Sequence, residues 1–167
     1  MVNIVLTRID DRLIHGQVMT TWVNYVSGNR IIIIDDVVAE DQFLQKVLTM
    51  AAPPKIKVDV YNVEDAIEIL KADPVDGENI IILVKYPSTI EALVDKGVKI
   101  EEMIVGGMSA GAGRKKLFRN ISASEEEKSI FTRLLDKGVE INIRIVPDDK
   151  PTKISKLLWQ GTKVLWI

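Results

Sequence analysis

The chain has 167 residues, 47% of them apolar, enough for a single compact domain with a substantial core. Its 22 basic and 24 acidic side chains leave a formal charge of −2, so there is no broad basic surface for nucleic acid or anionic lipid. The absence of cysteine excludes disulfides, thiolate nucleophiles and zinc–thiolate sites, and no uninterrupted apolar run reaches the ~18 residues of a membrane span.

The N-terminal stretch MVNIVLTRIDDR lacks the basic start and long apolar segment of a secretory signal. Its NIVL (3–6) reads as a first strand ending near Leu6 or Thr7, followed by a helix on the stripe Val18, Met19, Trp22, Val23, Val26. Next come a strand IIII (31–34) and a helix on Phe43, Leu44, Val47, Leu48 and Ala51. KIKVDV (55–60) alternates strictly, as a strand near a sheet edge does, and Val63, Ala66, Ile67 and Leu70 mark the helix after it. The continuous run IIILV (80–84) is an interior strand, followed by a helix on Ile90, Leu93 and Val94, and MIV (103–105) is a further interior strand. KLFRNIS (116–122) predicts one more short strand. Ser122 and Ser124 precede Glu125 and Glu127 by three residues, a capping-box start for the helix on Ile130, Phe131, Leu134 and Leu135. VEINIRI (139–145) also alternates strictly, as a strand toward a sheet edge does, and Pro151 and Thr152 predict the start of a last helix carrying Ile154, Leu157 and Leu158. Gly28, Gly97, Gly138 and Gly161 stand where helices stop. The alternation predicts one α/β domain over residues 1–167, with a mostly parallel sheet flanked by helices on both faces.

In such sheets the site lies beyond the carboxyl ends of the strands. The first loop there holds RIDDRLIHGQV (8–18), with the single histidine of the chain. His15 is expected at a helix start, where unpaired N–H groups of Gly16 and Gln17 and the positive helix end suit a phosphoryl group. The same field favours a neutral ring with a lone pair free to attack phosphorus. Arg12 and Arg8 supply positive charge for a phosphoryl dianion. Asp10, ahead of Asp11, is expected to orient the imidazole through its second nitrogen or to hold an arginine. On spacing alone the cluster reads equally as a capping histidine amid surface ion pairs.

Other loops are weighed in the same way. KYPST (85–89) places Ser88 and Thr89 at the same edge, either beside the phosphate or, for Ser88, as a plain cap. VGGMSAGAG matches no nucleotide-binding fingerprint, but Gly106 and Gly107 permit close backbone approach to an anion, and residues 106–113 read as a wall of the site or an exposed turn. Asp35 and Asp36 read as turn and cap residues, and Trp22 as core. Trp159 and Trp166 fit either core or an oligomer contact. No metal and no cofactor is expected.

RIDDRLIHGQV followed by Trp22 resembles the active-site segment of the IIB component of the mannose-family bacterial phosphotransferase system, and the likeness extends over the full length. This resemblance implies a seven-stranded, largely parallel α/β fold and a cytoplasmic phosphocarrier, held at the inner face of the membrane only through its partners. It further implies that His15 is phosphorylated on Nδ1 by the phosphohistidine of a IIA partner, with Arg12 contacting the phosphoryl group. A sugar arriving through membrane components IIC and IID would then receive that group. Mannose, fructose, sorbose and N-acetylgalactosamine all fit, and general likeness leans to the amino sugar. Rival readings are a small phosphatase, a nucleotide-dependent transferase using the same loop, or an anion-sensing regulatory module.

Overall fold

The computed structural model describes residues 1–158. Gly161, Trp159 and Trp166 lie outside them. In chain order the elements are β1 (Ile4–Asp10), α1 (Gly16–Val26), β2 (Arg30–Ile34), α2 (Gln42–Ala51), β3 (Lys57–Tyr61), α3 (Val63–Lys71), β4 (Ile80–Val84), α4 (Pro87–Asp95) and β5 (Glu102–Gly107). They continue with β6 (Lys115–Phe118), β7 (Ile121–Ala123), α5 (Glu125–Asp136), β8 (Glu140–Ile143), β9 (Thr152–Lys153) and α6 (Ser155–Leu158).

Seven strands form one sheet in the order β3-β2-β4-β1-β5-β8-β9, parallel throughout except for the antiparallel β8–β9 pair at one edge. Strict alternation splits each central strand between two cores. Ile32, Ile34, Ile82 and Val84 pack with Ala66, Leu70, Ile90, Leu93, Phe131 and Leu134 of α3, α4 and α5 on one face. Ile31, Ile33, Ile81 and Leu83 pack with Met19, Trp22, Val23 and Leu48 of α1 and α2 on the other. A strand buried on both faces must be apolar at every position, which is why β2 and β4 read as unbroken Ile/Leu/Val runs. The second helical layer is the shorter one. On β5 and β8 the alternate positions Glu102, Ile104, Glu140 and Asn142 are exposed or only half-buried on that side.

Local chemistry sets the element ends. The Asp41 and Asn62 side chains accept the Leu44 and Asp65 N–H groups at the starts of α2 and α3. Ser124 and Glu127 complete a reciprocal capping box on α5, whereas Ser122 lies within β7. The Asp35 carboxylate takes the N–H groups of Val37 and Val38, and that of Asp36 takes the N–H of Val63, so both are the turn and cap residues expected. Gly97 and Gly138 end α4 and α5 with φ of 91° and 88°.

Three sequence expectations are corrected. The first strand does not end at Leu6 or Thr7 but runs to Asp10, because Arg8 pairs with Ile104 of β5 and Asp10, after a one-residue shift of register, with Gly107. KLFRNIS is not one strand: Arg119, at φ 47°, turns the chain, and β6 and β7 form a small antiparallel hairpin of their own. Thr152 begins no helix but pairs with Ile143 in the two-residue edge strand β9, and α6 starts only at Ser155. Among the described residues no helix is long and apolar enough to cross a membrane.

Candidate active site

β1 sits in the middle of the sheet between β4 and β5. Its helix α1 packs on one face, while α4 and α5, following β4 and β5, pack on the other. Successive connections therefore diverge at the carboxyl end of β1, the crevice where open α/β sheets place their sites. The short β1–α1 loop is held from inside by Leu13 and Ile14, 2% and 5% exposed, which insert into the α1/α2 core. Leu13 adopts φ 56°, a left-handed conformation that a residue with a Cβ takes at some cost and that its burial overrides. The loop is thus a pinned turn.

His15 is the residue at which α1 begins, in extended conformation, and its side chain does not cap the helix. Gly16 and Gln17, the first helical residues, are exposed, so their N–H groups and the positive helix end face solvent beside the ring. The ring is about one-quarter exposed, and Nε2 lies 3.0 Å from Asp10 Oδ2. A carboxylate only accepts hydrogen bonds, so this contact places the proton on Nε2 and leaves the lone pair on Nδ1.

Asp10 is the hub, 1% exposed. Oδ1 accepts the backbone N–H and Nε–H of Arg12 at 3.0 and 3.1 Å, while Oδ2 accepts from Arg12 Nη2 at 3.1 Å and Arg8 Nη2 at 3.3 Å as well as from His15. Burial alone would push this carboxyl up. The hydrogen bonds from Arg12 and His15 and the charge of Arg8 outweigh it and hold Asp10 below the usual carboxylate range. Arg12 uses one edge of its guanidinium on Asp10 and is half exposed, so it presents positive charge to solvent at the ring.

Arg8 does not join it there. Expected beside the phosphoryl group, it is completely buried under the loop: Nη1 donates to the Arg144 carbonyl at 3.0 Å, and its guanidinium stacks 5.4 Å from the Trp22 ring centre. Burial pulls its pKa down, opposed by Asp10. Gly106 and Gly107, expected to cradle an anion, are buried too. A Cβ on Gly106 would lie 2.0 Å from Arg8 Cζ, and one on Gly107 would lie 3.0 Å from Asp10 Oδ1, so these glycines make room for the buried charges. Trp22 is core, as expected, with Nε1 donating to the Ile145 carbonyl.

Ser88 and Thr89 open α4 at the end of β4, next to β1, but neither side chain hydrogen-bonds to the histidine loop; Thr89 is buried, Ser88 exposed, and the residue at the helix cap is Tyr86 rather than Ser88. Sequence reasoning missed a second cluster. Asp11 accepts the Ser109 N–H at 2.7 Å and its hydroxyl at 3.1 Å, and Arg114 donates to the Ser109 carbonyl and pairs with Asp11. Arg114 also grips both carboxylate oxygens of Glu127 at 2.8 Å, the residue that completes the α5 capping box. Residues 109–114 are therefore clasped to the histidine loop, not left as a plain exposed turn. The only sequence signal was an unassigned basic residue, Arg114, behind a glycine-rich loop.

The ingredients converge on a part-exposed imidazole whose Nδ1 is not engaged by Asp10, beside a half-exposed guanidinium and the helix-start N–H groups, a site for taking up an oxyanion on nitrogen. Residues 4–165 match the family described as the PTS system sorbose subfamily IIB component. The fructose-specific EIIB component of Bacillus subtilis (strain 168) is 33% identical over 163 residues, 98% of this chain and all of that protein. The mannose-specific EIIAB component of Escherichia coli (strain K12) is 37% identical over 153 residues, 92% of this chain but 47% of that protein. The crystal structure of the IIB domain of the sorbose permease from Klebsiella pneumoniae superposes with a TM-score of 0.90 at 33% identity, covering 98% of this chain and 99% of that one.

Proposed function

Because this chain belongs to the sorbose subfamily of phosphotransferase-system IIB components, we propose that His15 is the residue on which it carries the phosphoryl group. A IIB component is a sugar phosphotransferase, and family membership does not favour a phosphatase, a nucleotide-dependent transferase or an anion sensor. The observation that carries the proposal is the Nε2–Asp10 contact, which ties down one ring nitrogen and leaves Nδ1 as the nucleophile. Arg12 is the charge stabiliser, and the N–H groups of Gly16 and Gln17 are anion donors. A single imidazole suffices, since a carrier needs no second base to activate water. Arg8, Gly106 and Gly107 support this from beneath; Ser88 and Thr89 line the edge.

The donor is a IIA phosphohistidine and the acceptor a sugar held by membrane components IIC and IID, which places the chain in the cytoplasm at the inner membrane face. The EIIAB name of the E. coli relative, of which this chain spans about half, supports a IIA partner. The test supplies phosphoenolpyruvate, the general phosphotransferase proteins and the matching IIA. An acid-labile, alkali-stable phosphate is expected on the wild-type chain and none on His15→Ala; its persistence in that variant overturns the assignment.

A further inference from the structure

Arg8 raises a question that the carrier role leaves open. It is 0% exposed, its Nε has no hydrogen-bond partner among the described residues, and its guanidinium lies so close to Gly106 that a Cβ there would fall 2.0 Å from Cζ. Burying a cation with an unsatisfied N–H is costly, and an apolar side chain of similar length would fill the space at lower cost. The guanidinium cannot touch a phosphoryl group. Its one ionic partner among the described residues is Asp10 Oδ2, the same oxygen that holds His15 Nε2. Two arginines therefore face one carboxylate and one ring.

The consequence appears after phosphoryl transfer and rests on His15 being the carrier. The Nδ1 lone pair forms the new N–P bond as the P–N bond to the donor imidazole breaks. Each ring keeps its own N–H, so no water and no external base takes part. The His15 ring, substituted at Nδ1 and still protonated at Nε2, is now a cation facing Asp10. We infer that Arg8 is a positioning residue acting through Asp10: it cancels part of the carboxylate's charge and so lowers the pH at which the phosphorylated ring releases its Nε2 proton.

The other ionisable groups around the ring do not substitute for it. Arg12 bears on the same carboxylate but is half exposed, so salt screens it, while Arg8 is shielded from salt. Asp11, Arg114 and Glu127 are engaged with one another. Lys85 lies beyond β4 and Arg144, beyond β8, has its guanidinium on the carbonyls of Pro147 and Asp149 and over Trp22 and Tyr25. The α1 first turn holds no acid.

The test phosphorylates the full chain through IIA and follows the 31P shift of the phosphohistidine against pH, at low and high salt. Arg8→Met is expected to raise the titration midpoint by roughly one to three pH units, the scale of one charge within ~4–6 Å, at either salt concentration. Arg8→Lys, which keeps the charge, stays near wild type. Should Arg8→Met fail to fold, Gly106→Ala supplies the test, since its methyl must displace the guanidinium from Asp10; a smaller upward shift is expected. A midpoint unmoved in the folded variants, or moved alike by Met and Lys, overturns the inference. Absence of phosphate from the wild-type chain would instead overturn the His15 assignment on which it stands.

Discussion

Asp10 and Asp11 are adjacent in sequence and both pair with arginine, yet they build two different parts of the site. Asp10 forms the floor, 1% exposed, binding the ring and two guanidiniums inside the sheet end. Asp11 forms the wall, 17% exposed at its side chain, binding a loop from the far side of β5. Asp10 is the last residue of β1 and Asp11 the first of the turn after it, and one carboxylate is committed to the ring while the next is committed to Ser109. The comparison teaches that depth, more than pairing, decides what an aspartate–arginine contact does: the floor orients a reacting group, and the wall fixes a boundary.

Asp10→Asn leaves Arg8 buried without its counter-charge and should cost about 3–5 kcal/mol in urea unfolding. A loss similar to that of Asp11→Asn would erase the distinction. Acid should tell the two apart next. The Asp10 and Glu127 carboxyls both titrate below their unfolded values, Asp10 because its donors outweigh burial and Glu127 because Arg114 and the Ser124 N–H outweigh it. Each therefore contributes stability that is fully present above the unfolded carboxylate range and is lost as pH falls through the lower folded value. Urea midpoints measured from pH 6 down to pH 3 should fall in wild type and fall less steeply in Asp10→Asn. Asp11→Asn should cost about 1–2 kcal/mol, with faster amide exchange confined to residues 108–114. Arg12→Ala should change stability by less than about 1 kcal/mol, because its pair is half exposed, while phosphorylation by IIA slows at least about tenfold, as loss of one charge stabiliser does.

The fold was legible where burial dictates residue type. Unbroken Ile/Leu/Val runs gave β2, β4 and β5, and 3.6-residue stripes gave the five longer helices, because these segments have no use for polar side chains on the covered faces. The reading failed where polar or charged residues are buried. Arg8 and Asp10 look like loop, so the first strand was cut short, and their mutual pairing, which lets them enter the sheet, is invisible to periodicity. His15, Arg12 and Asp10 stand within six residues, and local spacing was enough to group them. Whether an arginine faces solvent or Trp22 depends on Gly106 and Arg144, about 100 and 136 positions away, and no local pattern carries that. The Asp11–Ser109–Arg114–Glu127 clasp was missed for the same reason.

The central place of β1 also bears on biosynthesis. Its neighbours in the sheet begin at Ile80 and Glu102, and Arg8 finds its last acceptor at Arg144. A ribosome that has made the first third of the chain has already produced every side chain of the histidine turn and the α1/α2 layer beneath it, but neither strand that flanks β1 nor the Arg144 carbonyl that holds Arg8. Nascent chains arrested before residue 144 should therefore emerge inert toward the phosphoryl donor, and competence should arrive late, in a single step near the end of translation.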